Sequence, residues 1–171
     1  VDLSSADLVL SKKSEQVSVL KEKINAVDFN QNKLDYILID CPPSLNLLTI
    51  NALVASDSVL VPLQAEFLPL EGLSQLMLSV KEIRDTANPD LRFEGIVLTM
   101  FDKRNNLSRQ VEEDVRDNLK GLVYQSVIPR SVKLSEAPSY GKSIFDYSPR
   151  SKGAFAYKAL ALEILSRHEV N

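Results

Sequence analysis

Cysteine and histidine are nearly absent from this sequence: its 171 residues contain one of each, Cys41 and His168. A single cysteine excludes an internal disulfide framework and any multi-cysteine metal site within one chain. No apolar run approaches the roughly 20 residues that a membrane-spanning helix needs. No basic-then-apolar opening resembles a signal peptide. Together these scarcities point to the cytoplasm. His168 falls on a polar helix end and is assigned no role.

What remains is an ordinary globular composition, 44% hydrophobic and 25% charged, with enough chain for one domain and a sizeable core. The net charge is −3 but unevenly spread. Residues 1–100 hold 8 Lys and Arg against 14 Asp and Glu, whereas residues 101–171 hold 12 against 9. The basic excess falls mainly in loops after residue 100, a weak sign of a surface facing a polyanion. The chain opens on Val1 rather than methionine, and its first ten residues read like the interior of a longer sequence.

Hydrophobic periodicity predicts alternating strands and helices. A short helix is expected from Asp2 or Ser4 to Leu10, then a longer one over Ser11 to Asp28, with Val17, Leu20, Ile24 and Val27 on one face. Ser44 is placed as the N-cap of a helix from Leu45 to Ala55. Strands are expected at Ser58 to Leu63, Phe93 to Met100 and Val123 to Ile128. A helix with Leu73, Leu76, Met77, Val80, Ile83 and Ala87 inward should end at Asn88-Pro89. Another should cover Leu107 to Lys120, stopped by Gly121. Val132 to Ala137 is a short helix. Ser151 to His168 is the last, with Phe155, Ala159, Leu162 and Leu165 inward. This alternation implies one α/β domain over residues 1–171, a mostly parallel doubly wound sheet with helices on both faces.

The stretch Leu34 to Ser44, LDYILIDCPPS, organises the rest. Tyr36, Ile37, Leu38 and Ile39 read as a strand buried on both faces and closed by Asp40. Pro42 and Pro43 have no N–H with which to extend a ladder. A carboxylate at the carboxyl end of a buried parallel strand lies where open α/β sheets bind ligands. It fits a Walker B element, holding Mg²⁺ beside nucleotide phosphates. Taken alone, the same aspartate could as well cap the next helix.

The run DYILIDCPPSLNLLTINALVASDSVLVPLQAEFLPLEGLSQL resembles the core of the ParA/Soj family of chromosome- and plasmid-partitioning ATPases, P-loop NTPases with a deviant Walker A motif. The likeness continues through GIVLTMFDKRNNLSRQV, VIPRSVKLSEAPSYGKSI and YSPRSKGAFAY. The serial order of these motifs carries it, over nearly the whole chain. The family begins with a Gly-rich loop bearing two lysines and a switch I segment. This sequence has no GKT, and its one Gly-Lys-Ser, Gly141 to Ser143, lies far downstream and follows no Gly-rich loop. The resemblance therefore implies roughly 90–100 further residues on the amino side, and weak or no ATP binding and no hydrolysis by these 171 residues alone.

For the full-length protein the resemblance implies ATP with Mg²⁺ as cofactors, an ATP-dependent homodimer, non-specific binding to double-stranded DNA, a ParB-type partner that stimulates hydrolysis, and no membrane. Asp40 would be the Mg²⁺-side carboxylate, acting through water, and Pro42, Pro43 and Ser44 would belong to switch II. Pro129, Arg130 and Ser131 would pass beside the adenine; Pro129 also reads as a strand terminator. Glu66, Glu71 and Gly72 would lie near the dimer interface, although Glu71 also suits a helix N-terminus. Arg104 and Lys133 would bind DNA, with Lys103, Arg130, Lys142, Arg150 and Lys152 extending the patch. Lysine at 133 keeps the charge but not the planar fork of arginine. A MinD-like positioning ATPase is the alternative, but it needs a basic amphipathic tail that SRHEVN does not supply. A second alternative is an inactive remnant of a ParA-type protein.

Overall fold

Apolar side chains on both faces, with β-branched Ile96, Val97 and Thr99 among them, make Arg92–Phe101 a central strand. The computed structural model describes residues 17–27, 34–42, 44–65 and 70–169. In chain order these form α1 (Val19–Asn25), α2 (Leu47–Ala55), β1 (Ser58–Gln64), α3 (Leu70–Thr86), β2 (Arg92–Phe101), α4 (Asn106–Asn118), β3 (Val123–Pro129), α5 (Val132–Glu136), a 3-10 turn (Ala137–Tyr140), α6 (Ile144–Tyr147) and α7 (Lys152–Glu169). The fold is α/β with a mostly parallel sheet of order β1-β2-β3. The helix expected before residue 11, the start of the next one, the turn at residues 30–33, Pro43 and residues 66–69 lie outside the described residues. No helix among the described residues is long and apolar enough to cross a membrane.

The chain divides into two compact units, residues 1–59 with 75–93, and residues 60–74 with 94–171. In the first, Leu53, Val80 and Leu91 form a buried cluster that Val59, Leu76 and Ile83 pack against. Buried Asn88 ties the end of α2 to this cluster, its amide donating to the carbonyls of Leu53 (3.0 Å) and Ser56 (2.8 Å). The stripe expected on α3 is thus the one that faces inward. Two expectations fail in this unit. Ser44 does not cap α2; Asn46 does, its side chain accepting the Thr49 N–H at 3.0 Å. Leu34–Pro42 is no strand, and no ladder joins it to the described strands. Leu34, Tyr36 and Ile37 are about half exposed and Leu38 is 92% exposed. An all-apolar run is buried on both faces only when neighbouring strands and covering helices are there to bury it.

In the second unit, β2 and β3 run parallel, and Ile96, Val97 and Leu98 of β2 are fully buried. Register runs from Ile96 opposite Val123 to Leu98 opposite Val127, so two steps on β2 match four on β3. Such a bulge turns backbone groups out of the ladder. Here side chains take them up. Glu163 of α7 accepts the N–H groups of Gln125 (2.7 Å) and Ser126 (2.8 Å). Arg167 donates to the Val123 carbonyl (3.3 Å) and Arg116 of α4 to that of Tyr124 (3.1 Å). Gly95, just before the first paired residue Ile96, has φ +151°; a Cβ there would lie 2.7 Å from the Tyr124 ring and 2.8 Å from the Leu122 carbonyl oxygen.

The face expected on α7 is also corrected. Phe155 (61%), Leu162 (57%) and Leu165 (43%) are exposed, as is Ala159. Gly153, Ala154 and Leu160 are buried instead, and Ala156 and Ile164 pack against the cluster of Val97, Tyr124, Ile128 and Leu160. Gly153 explains part of the choice, since Leu134 lies where its Cβ would be, 2.7 Å away. Glu163 and Arg167 explain the rest: they share the face of Leu160 and Ile164, and bonding β3 turns that face inward.

Candidate functional site

Parallel strands deliver their carboxyl-end loops to one edge of the sheet, and two basic loops leave β2 and β3 there. Phe101 pairs with Pro129, and the Arg130 N–H donates to the Phe101 carbonyl at 3.0 Å. The segment Asp102–Asn105 therefore lies beside Arg130–Ser131. Met100, one residue before the pair, takes φ +54°, an uncommon left-handed conformation for a non-glycine residue. It bends the end of β2 so that Phe101 is buried and the next residues form a tight turn.

Asp102 closes that turn. Its Oδ1 accepts the Arg104 backbone N–H (3.0 Å) and the Arg104 Nε–H (3.1 Å), while Oδ2 accepts from Nη2 (3.0 Å). The hydrogen bonds from the Arg104 side chain and backbone, with the Arg130 charge adding to them, hold the Asp102 carboxyl down at about 2. The carboxylate in turn raises the Arg104 guanidinium. The Arg104 side chain is 90% exposed. Asn105 caps α4, its side chain accepting the Leu107 N–H at 3.0 Å, which anchors the far side of the loop.

Lys133 sits in the first turn of α5 and is held by more partners. Its Nζ donates to Glu136 Oε2 at 3.1 Å and lies 5.5 Å from the Tyr147 ring centroid. The Tyr147 hydroxyl donates to the same Glu136 oxygen at 2.9 Å. Tyr140 stacks on Tyr147 with ring centroids 5.1 Å apart. Tyr147 first, then Lys133, lowers the Glu136 carboxyl by hydrogen bonding, and Glu136 raises the Lys133 ammonium. Half-buried Pro129 and Ser131 bracket exposed Arg130. Ser131 precedes α5 without a side-chain cap bond, and its carbonyl accepts the Ser135 N–H at 3.3 Å.

Asp40, Cys41, Pro42 and Ser44 belong to the other unit. Asp40 is an exposed carboxylate in the extended segment. Partial burial, and after it the adjacent Asp40, push the Cys41 thiol up; its Sγ lies 3.7 Å from the Ile39 carbonyl. The Ser44 carbonyl accepts the Thr49 hydroxyl at 2.6 Å. No group of three or more His, Cys, Asp or Glu among the described residues could hold a metal. A lone exposed carboxylate nevertheless fits Mg²⁺, which keeps most of its waters. Glu66 and Pro43 lie outside the described residues, as does the Glu71 side chain; Gly72 is exposed, with open space where a Cβ would point.

The structure thus brings together Arg104, Pro129, Arg130, Ser131 and Lys133, all in one unit. The sequence reading missed Asp102, Glu136 and Tyr147. The two carboxylates had a signal in their spacing, Asp-x-Arg in a turn and Lys-x-x-Glu on a helix; Tyr147 had none.

Comparison with known proteins matches residues 1–93 to the family model of an AAA domain. The chromosome partitioning protein ParA of Caulobacter vibrioides is 48% identical over 97% of this chain and 62% of its own length. The sporulation initiation inhibitor protein Soj of Bacillus subtilis is 51% identical over 96% of this chain and 64% of its own length. The chain therefore spans a little over three-fifths of these relatives. Among solved structures, cobyrinic acid a,c-diamide synthase of Mycobacterium smegmatis, with bound ATP analogue and magnesium, superposes with a TM-score of 0.74. It is 34% identical, over 94% of this chain and 58% of that one.

Proposed function

The chain belongs to the ParA/Soj family of AAA-domain proteins, and on that footing we propose that it is the carboxyl-terminal part of a DNA-partitioning ATPase domain. The observation that carries this reading is the juxtaposition of two basic loops at the carboxyl ends of β2 and β3. Arg104 and Lys133 both present exposed cations there, a surface suited to the phosphates of duplex DNA and indifferent to base sequence.

In the full-length protein Asp40 would hold Mg²⁺ through water, with Pro42, Pro43 and Ser44 as the switch segment. Pro129, Arg130 and Ser131 would line the adenine side of an ATP site. The phosphates need a cradle of backbone N–H groups. The one Gly-Lys-Ser here, Gly141 to Ser143, follows SEAPSY rather than a Gly-rich loop that could form one, so ATP hydrolysis is proposed for the full-length protein and not for these residues alone. Glu66, Glu71 and Gly72 would face a second copy once ATP is bound. A ParB-type partner would then trigger hydrolysis and release from the nucleoid, in the cytoplasm.

The test is duplex binding by the full-length protein with ATP and Mg²⁺, measured against salt. Arg104→Ala is expected to weaken binding about tenfold and to reduce the salt slope by about 1, equally for unrelated sequences. Unchanged affinity and slope would remove Arg104 from the DNA surface.

A further inference from the structure

Both cations of the DNA surface are already engaged by carboxylates of their own loops. Arg104 commits the Nε–H and one Nη2–H to Asp102, one of the two forks through which a guanidinium grips an anion. Asp102 cannot swing away freely, because its Oδ1 also holds the Arg104 backbone N–H at 3.0 Å. The Arg130 charge also acts on the Asp102 carboxylate, so one negative charge offsets part of two of the surface's positive ones. Glu136 stands in the same relation to Lys133, pinned by the Tyr147 hydroxyl as well.

We propose that Asp102 is a resident competitor of DNA phosphate: it occupies the inner fork of Arg104, leaves only the outer fork for a phosphate, and so lowers affinity and speeds release. The inference rests on the DNA-binding reading above and adds to it an affinity-setting residue. Its chemistry is exchange of one anion for another around a fixed guanidinium. With the carboxylate in place, a phosphate meets a cation whose charge is largely cancelled, and fewer condensed counterions are released per contact. A partitioning surface that must leave DNA as readily as it binds would use such a residue.

The experiment is a double-mutant cycle on duplex binding by the full-length protein with ATP and Mg²⁺, reading affinity, dissociation rate and salt slope. Asp102→Asn keeps an oxygen for the Arg104 backbone N–H and removes the charge together with the acceptor for Nη2. It is expected to tighten binding about five- to tenfold, slow dissociation in proportion and steepen the salt slope by nearly 1. In an Arg104→Ala background the same change should gain less than twofold. Equal gains in both backgrounds would mean that Asp102 acts only through net charge, overturning the proposal. Weaker binding by Asp102→Asn would make it a positioning residue for Arg104, also overturning it. If Arg104→Ala alone leaves binding unchanged, the DNA-binding reading fails first and the competitor falls with it. Glu136→Gln is the second arm, expected to gain about twofold, because Lys133 stays over the Tyr147 ring; no gain there, with none from Asp102→Asn, would equally end the proposal.

Discussion

Two apolar stretches of similar length meet opposite ends in this molecule. Residues 95–98, Gly-Ile-Val-Leu, lie at the centre of a sheet, with Ile96 and Leu98 at 0% exposure. Residues 36–39, Tyr-Ile-Leu-Ile, are extended but in no strand, with Leu38 at 92%. The difference is one of partners rather than composition. β2 has β3 alongside, paired from Ile96–Val123 to Phe101–Pro129, and α7 over β3. Burial on both faces is conferred by neighbours, so an apolar run states a demand that only another part of the chain can meet.

The sharpest way to break the comparison is to strike where β2 and β3 first meet. Gly95→Ala places a Cβ 2.8 Å from a backbone oxygen at a φ that L-residues avoid, and should destabilise by about 3 kcal/mol or more. A melting temperature within a few degrees of wild type would show that the strand start adapts. Next in size is the paired test of the two runs: Leu98→Ala should cost about 3 kcal/mol, whereas Leu38→Ala in the 171-residue chain should stay within about 0.5 kcal/mol. Denaturant midpoints decide it, and equal losses would mean that both leucines are buried.

The smallest effect concerns the outer edge of β3. Partial burial pushes the Glu163 carboxyl up, but the Gln125 and Ser126 N–H groups outweigh it and hold it below its ordinary value. A group whose pKa is depressed by folding adds stability above its unfolded pKa and loses it as pH falls through the folded one. Stability should therefore drop on acidification below about pH 4, and Glu163→Gln should remove about 1–2 kcal/mol at neutral pH and flatten that acid limb. An unaltered acid limb in the variant would show that other carboxylates carry it.

Much of the architecture was legible. β1, β2 and β3 fall within a residue or two of their predicted bounds, because strand signals there were reinforced by Pro62, Asn88-Pro89 and Pro129. The stripe of α3 was legible because its other side is polar. α7 was not: KGAFAYKALALEIL is apolar nearly all round, so its own periodicity admits two faces. At the candidate site Arg104 and Lys133 were reached through family resemblance, and their proximity came from the parallel pairing of β2 with β3. The carboxylates that hold them escaped notice because a charge near a charge reads as solvated surface until geometry shows a bidentate grip.

The sequence by itself determined which segments are helical and which extended, and placed the basic loops after β2 and β3. Those are local properties, set by side-chain periodicity, proline and capping chemistry within a few residues. Tertiary structure alone decided that Leu34–Pro42 forms no strand, that α7 turns Gly153 and Leu160 inward, and that the loops of Arg104 and Lys133 lie side by side. Each of those outcomes depends on what a segment finds to pack or pair with, and no pattern within the segment specifies that.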